Sequence, residues 1–327
     1  RSSQIDLTIA SWDEQLPLDG VSHVYLSNNH WDDFKKLYRF VKDGSVDVVI
    51  GHTTAACIFL WPLKFLTRAK IVLEMHGFRE EEAQLYGNRS RWYYHRIKFL
   101  YSLFYRACDL ITTCGYTATE VLARHNSNVI TVAGGVDLHV FHSKASSGNF
   151  FEKKGITVCY TGNSRPWQGI ELLTEAFQEL RQEHPEYRLI ILTNENRVFG
   201  DDIEVFGPIA HEEVPSFLID CDIMIIPRGN NRVSQLSLPT KFAEYMALGK
   251  PVVASDVGDA RCMIQHGVSG LLYEVDNKES LKEALLTLRD AQHRMLLGQN
   301  ARSAVEQHYT WEKQVGIMID RLEKLVA

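Results

Sequence analysis

The chain has 327 residues, enough for two domains of ordinary size that each bury a core. Apolar residues make up 45% and charged residues 23%, as in ordinary globular proteins. A formal charge of -6 excludes a general nucleic-acid binder, which needs positive charge to hold phosphates.

Short β-branched runs alternate with helical patterns along the whole chain, the signature of an α/β fold with parallel sheets covered by helices. The first series predicts strands at Asp6–Ser11, His23–Leu26, Val46–Gly51, Lys70–Met75, Leu110–Thr113 and Val129–Val132. Helices are expected at Asp32–Lys42 and, as one long element, at Glu80–Ala107. The longest apolar stretch, 55–66, is too short to span a membrane and is broken by Pro62 and Lys64. With no leader sequence evident, a cytoplasmic protein is expected, at most attached to the inner face of a membrane. His52 and His76 each follow a predicted strand, which puts both imidazoles at the cleft edge of a sheet. Residues 89–106 (R-S-R-W-Y-Y-H-R-I-K-F-L-Y-S-L-F-Y-R) combine cations and aromatics with no acid. Such a helix, within 89–107, suits either an anionic membrane surface or a core position with arginines at its edges.

Gly134 and Gly135 permit a hinge or a close backbone approach, and the domain junction is expected around Gly134–Asn149. The second series predicts strands at Ile156–Thr161, Arg188–Thr193, Ile203–Phe206, Ile223–Ile226, Pro251–Ser255 and Gly270–Tyr273. Helices fall at Gly169–Glu183, Glu212–Ile219, Thr240–Leu248 and Lys278–Arg289. Two doubly wound units in tandem follow, an N-terminal one over 1–140 and a C-terminal one over 150–310. The cleft between them is the expected site, because ligands bind at the carboxyl ends of such strands.

The densest chemistry lies in Ser237-Leu-Pro-Thr-Lys-Phe-Ala-Glu-Tyr-Met-Ala-Leu-Gly-Lys-Pro-Val-Val-Ala-Ser255. Pro239 suits a first helical turn, Gly249 its end, and Pro251 the departure into a strand. Lys241 and Glu244 stand three apart and share a face near the helix start, with Thr240 beside them. Partial positive charge there plus the lysine would hold a diphosphate, and the glutamate would accept from sugar hydroxyls. The competing reading is a surface ion pair on an ordinary helix.

That stretch resembles the donor-site motif of glycosyltransferase family 4, E-A-M-A-x-G-x-P-V-V-A, read here as Glu244-Tyr-Met-Ala-Leu-Gly249-Lys-Pro251-Val-Val-Ala254. Tyr160-Thr-Gly-Asn-Ser-Arg-Pro-Trp-Gln-Gly-Ile-Glu-Leu-Leu-Thr-Glu-Ala176 is similar to the strand, loop and helix that open that family's second domain. Gly135-Val-Asp-Leu-His-Val-Phe141, Val205–Pro215, Cys221–Pro227 and Gly267–Leu272 match in the right order. The resemblance implies a GT-B fold, with a last helix at 311–327 crossing back onto the first domain. It also implies retention of anomeric configuration, polysaccharide or glycolipid assembly, and a UDP- or GDP-type nucleotide sugar as donor substrate. No separate cofactor is implied, and the acceptor would be a saccharide or a lipid-linked one. Glu244 would contact the ribose, with Gly162, Asn163, Ser164, Gln168, Pro239 and Thr240 around the nucleotide and His76 beside the transferred sugar.

Three departures from the family pattern stand out. The first glutamate of its E-x7-E pair falls on Leu236, and its diphosphate-binding Arg and Lys fall on Asn163 and Gln168. A subgroup with P-x-K before the glutamate and P-W-x-G in the loop shares these losses. There, Lys241 and Arg165 would supply the charge. The chain also opens with Arg1-Ser-Ser-Gln-Ile and lacks the family's first glycine-rich loop, so truncation or replacement of that unit is expected. No D-x-D pair stands in a suitable loop, which points to metal-free transfer. Two other readings remain, a non-catalytic scaffold descended from a transferase and a nucleotide-sugar epimerase. The six cysteines lack paired spacing and are expected to be buried thiols.

Overall fold

A computed structural model describes residues 5–11, 21–27, 29–87 and 90–327. Strands β1 (Thr8–Ser11) and β2 (Ser22–Tyr25) form a separate parallel pair. Strands β3 (Val48–His52), β4 (Lys70–Met75), β5 (Leu110–Thr113) and β6 (Val129–Thr131) form a four-stranded parallel sheet in chain order. The second sheet is built from β7 (Ile156–Thr161), β8 (Tyr187–Leu192), β9 (Ile203–Phe206), β10 (Ile223–Ile226), β11 (Val252–Ser255) and β12 (Leu271–Tyr273). Its order is β12-β11-β10-β7-β8-β9, and all its pairings are parallel.

These strands are short apolar runs because helices cover both faces of the second sheet. Side chains of β7 alternate accordingly. Cys159 enters a cluster with Phe242, Tyr245 and Met246, while Val158 and Tyr160 enter another with Ile170, Leu173 and Phe177. The strand order reverses between β7 and β10, so the loops leaving those two strands diverge and open a crevice at their carboxyl ends.

The expected long helix Glu80–Ala107 is instead two, Arg79–Leu85 and Arg91–Ala107. The first ends before Gly87, whose φ of +66° is left-handed, and the second starts at Ser90, whose hydroxyl accepts from the Tyr93 N–H at 3.3 Å. A helix at Ala291–His308 was not among the expected elements.

The two sheets are tied by several contacts. Asp259 accepts from the Thr117 N–H (2.9 Å) and hydroxyl (2.6 Å) at the start of the Tyr116–Ala123 helix. The Trp311–Val326 helix reaches the first sheet through Arg321 Nε, which donates to Asn128 at 2.9 Å. Gly135 lies so close to this helix that a Cβ there would sit 2.7 Å from Trp311 Cα, and a Cβ on Gly134 would sit 3.1 Å from Thr240 Cγ2. Among the cysteines, Cys57, Cys108, Cys159 and Cys221 are buried free thiols, Cys114 is half-buried, and Cys262 is exposed, contrary to the expectation for that residue.

Candidate active site at the crevice between the sheets

The crevice at the ends of β7 and β10 collects most of the singled-out residues. Lys241 begins the Lys241–Ala247 helix, and its Nζ donates to the Thr161 carbonyl at 2.7 Å. The ammonium also lies 4.4 Å from the centroid of the Tyr160 ring. One turn on, the Tyr245 hydroxyl accepts from the Thr161 N–H at 2.9 Å, so one helix grips the end of β7 twice. Pro239 lies outside the helix, not in its first turn; its carbonyl accepts from the Phe242 N–H at 3.2 Å. Thr240 is the N-cap residue, but its side chain makes no capping hydrogen bond.

Lys241 and Glu244 form no ion pair with each other, which removes the surface-pair reading. No carboxylate lies within ion-pair distance of Lys241 among the described residues. Burial and then the charge of Arg228 pull the Lys241 ammonium down to about 7, against the smaller opposing effect of Glu244. Burial pushes the Glu244 carboxyl above its ordinary value, while His211 and Lys241 oppose that shift.

The 162–169 loop faces this helix. Gly162 has φ of +131°, and a Cβ there would sit 3.0 Å from Lys241 Nζ and 3.1 Å from the Tyr160 hydroxyl, so glycine alone leaves the space open. The Asn163 carbonyl accepts from Tyr160 Oη at 2.7 Å, and its side-chain oxygen accepts from the Arg165 N–H (3.3 Å) and Gln168 Nε2 (3.5 Å). Ser164 is committed to Glu195, whose Oε2 accepts from its N–H at 3.0 Å and its hydroxyl at 2.5 Å. Gln168 keeps a buried Oε1 without a partner. Arg165 is exposed at the loop's outer edge, its guanidinium 5.3 Å from the Trp167 ring centroid. The structure thus brings Lys241, Gly162, Asn163, Thr240 and Glu244 together and sets Arg165 on the rim.

One residue of the crevice was not singled out from the sequence. Arg228, just past β10, is only 6% exposed and lies close enough to Lys241 to act on its charge. A buried arginine in a Pro-Arg-Gly-Asn-Asn loop gives no sequence signal, because loop arginines are ordinarily solvated. Leu236, where the first glutamate of the family's pair would fall, is accounted for by its surroundings. It is buried at 2% and packs into the core of the first sheet with Met75, Phe78 and Ala118. A carboxylate would be desolvated there, which accounts physically for leucine at that position.

Across the crevice, His76 follows β4 and His52 ends β3, as adjacent strands in register require. Glu74 lies between them: His52 Nδ1 is 2.7 Å from its Oε2 and His76 Nε2 is 3.6 Å from its Oε1. The two imidazoles stack with centroids 5.8 Å apart and planes 4° apart. The hydrogen bond to Glu74 raises the His52 pKa, and the same bond holds the Glu74 carboxyl below its ordinary range. Among the described residues, these three are the group whose donor set could hold a metal ion, with ligand atoms within 4.8 Å of one another. The His76 carbonyl accepts from Cys114 Sγ at 3.5 Å, and the Cys114 thiol also faces the Leu238 backbone. Through these contacts the histidine edge abuts the donor-side loop.

Comparison with known proteins matches this architecture in two pieces. The family model described as "Glycosyltransferase Family 4" matches residues 15–140, and "Glycosyl transferases group 1" matches residues 155–290. The chain is a glycosyltransferase with the GT-B fold. An uncharacterized glycosyltransferase of Methanocaldococcus jannaschii is 21% identical, over 90% of this chain and 79% of its own length. The N-acetyl-alpha-D-glucosaminyl L-malate synthase of Bacillus anthracis is 23% identical, over 86% of this chain and 75% of its own. Among solved structures, sucrose-phosphate synthase of Thermosynechococcus elongatus superposes with a TM-score of 0.78 at 16% identity, covering 98% of this chain and 89% of that one. Anabaena HepE in complex with UDP and glucose superposes with a TM-score of 0.74 at 16% identity, covering 93% and 87%. The transferase's described residues include no helix long and apolar enough to cross a membrane.

Proposed function

We propose that this glycosyltransferase moves a sugar from a UDP- or GDP-type nucleotide sugar to a saccharide or lipid-linked acceptor, with retention and without a metal ion. The observation that carries the reading is the half-buried ammonium of Lys241, fixed at the strand-order reversal with no carboxylate partner among the described residues. The HepE complexes with UDP and with UDP-glucose support the donor class.

In this reading the nucleotide lies along the 162–168 loop and the Lys241 helix. Glu244 accepts from the ribose; Gly162, Asn163, Ser164, Gln168, Pro239 and Thr240 line the nucleotide; His76 faces the transferred sugar. The acceptor hydroxyl attacks the anomeric carbon from the side the diphosphate leaves. The C1–O bond to phosphate breaks as the new glycosidic bond forms, and the departing phosphate oxygen takes the hydroxyl proton. Lys241 stabilises the charge that develops on that oxygen, an electrostatic contribution worth about 2.7–4 kcal/mol for comparable groups. Arg165 on the rim is left to contact the acceptor or outer donor groups.

In this reading the acceptor lies at the cytoplasmic face of a membrane, a location supported by the outer side of the Arg91–Ala107 helix. Trp92 and Phe99 are exposed there beside Arg96, whose guanidinium lies 4.8 Å from the Trp92 ring centroid. Sedimentation with anionic vesicles, lost in Trp92→Ala/Phe99→Ala, checks this placement; equal recovery of both proteins with neutral and anionic vesicles refutes it.

The donor reading is tested by thermal shift with UDP, GDP and their sugars, then by nuclear magnetic resonance of the product formed with and without EDTA. One nucleotide should raise the melting temperature, and an α-linked donor should give an α-linked product at an unchanged rate in EDTA. A protein that binds no nucleoside diphosphate and hydrolyses no donor is a scaffold. Release of epimerised free sugar without acceptor identifies an epimerase.

A further inference from the structure

We propose that Arg228 and Lys241 together form the anion site for the donor diphosphate, Arg228 taking over from the loop cations that Asn163 and Gln168 replace. This rests on the donor reading above and adds a residue to it. Arg228 follows Pro227 at the end of β10, the strand beside β7 at the reversal of strand order, and Lys241 donates to the Thr161 carbonyl at the end of β7, so both cations stand on the donor side of one crevice. The 162–169 loop is pressed onto the Pro227 segment: a Cβ on Gly169 would sit 1.8 Å from the Pro227 carbonyl, and the Trp167 carbonyl accepts from Ser234 Oγ at 3.2 Å.

The guanidinium is only partly satisfied. Nη1 donates to the Ser237 carbonyl and Nη2 to the Ser237 hydroxyl, each at 2.9 Å, whereas Nε is buried without a partner. No carboxylate pairs with Arg228 or Lys241 among the described residues. Two neighbouring cations, one of them nine-tenths buried, with no carboxylate partner among the described residues and an unmet donor, are unfavourable on their own. An arginine serving only to hold Ser237 would not need its charge. A diphosphate supplies what is missing: negative charge between the cations and oxygens for the open N–H, in the forked geometry that suits arginine. Burial and Arg228 lower the affinity of Lys241 for its proton in the free protein, so the anion that neutralises the pair should also restore that proton.

Calorimetry on wild type, Arg228→Met, Arg228→Gln and Arg228→Lys tests this, with inorganic pyrophosphate, UDP, GDP, uridine and guanosine as probes. Pyrophosphate and the favoured nucleoside diphosphate should weaken about 10- to 100-fold in Arg228→Met, less in Arg228→Lys, with nucleoside binding unchanged. Should Arg228→Met fail to fold, Arg228→Gln keeps a donor for Ser237 without the charge, and the same loss is expected. Wild-type affinity for pyrophosphate in Arg228→Gln, or equal weakening of nucleoside and diphosphate, overturns the assignment. Pyrophosphate binding that depends on Arg228, with no binding of either nucleotide, keeps the anion site and removes the donor reading. Absence of all binding removes both.

Discussion

The two lips of the crevice handle charge in opposite ways. On the acceptor side, Glu74 sits between His52 and His76, and the group largely neutralises itself at an exposed edge, the His52 side chain being 67% accessible. On the donor side, Lys241 donates to the Thr161 carbonyl and Arg228 to Ser237, and neither has a carboxylate partner among the described residues. A self-satisfied exposed cluster tolerates change, because water replaces what is lost. An unsatisfied, buried one is tuned to a partner that is not part of the chain. Strong dependence on single residues is therefore expected on the donor side and mild dependence on the acceptor side.

The sharpest test of that asymmetry is Lys241→Met. Transfer should fall about 10²-fold or more while the melting temperature holds or rises, since a half-buried charge without a carboxylate partner among the described residues is removed. Near-normal turnover, measured with labelled donor, would end the role given to Lys241. Next in size is a pH effect. With the free lysine titrating at about 7, its charge is already present below that pH; above it, a bound anion must draw a proton from solvent. Nucleoside diphosphate affinity should thus fall as pH rises past 7, by up to about tenfold per unit, with proton uptake visible in buffers of different ionisation enthalpy. Lys241→Met should flatten the profile, and a flat wild-type profile would contradict the linkage.

The smallest effect belongs to Glu74→Gln. The raised His52 contributes stability that is fully present below its unfolded value of 6.5 and fades as pH climbs through the folded one. The depressed Glu74 contributes above its unfolded value of 4.5 and fades as pH falls through its folded one. Their joint support is therefore greatest between those unfolded values and, for so exposed a pair, no more than about 0.5 kcal/mol. Turnover should change only a few fold. A loss in Glu74→Gln as large as that in Lys241→Met would show that the acceptor-side cluster is no self-contained surface group.

The sequence by itself determined the strand core. Lys70–Met75, Leu110–Thr113, Ile156–Thr161, Ile203–Phe206 and Ile223–Ile226 fall where their β-branched and apolar runs predict; the interior strand Ile223–Ile226 is buried throughout, and the edge strand Ile203–Phe206 keeps Glu204 and Val205 exposed. The motif around Lys241 was legible too, since Pro239, Gly249 and Pro251 bracket a helix between two breaks. The break at Gly87 was hidden because both flanking segments have helical patterns. Only the tertiary structure decided which polar residues count. It sent Arg165 to the rim, committed Ser164 to Glu195, plugged Leu236 into the opposite core and buried Arg228 beside Lys241. Local pattern fixes where backbone turns and which face is apolar. Whether a charged side chain meets water, a partner or neither depends on segments distant in the chain, here 160–169 and 227–241, and no local pattern carries that information.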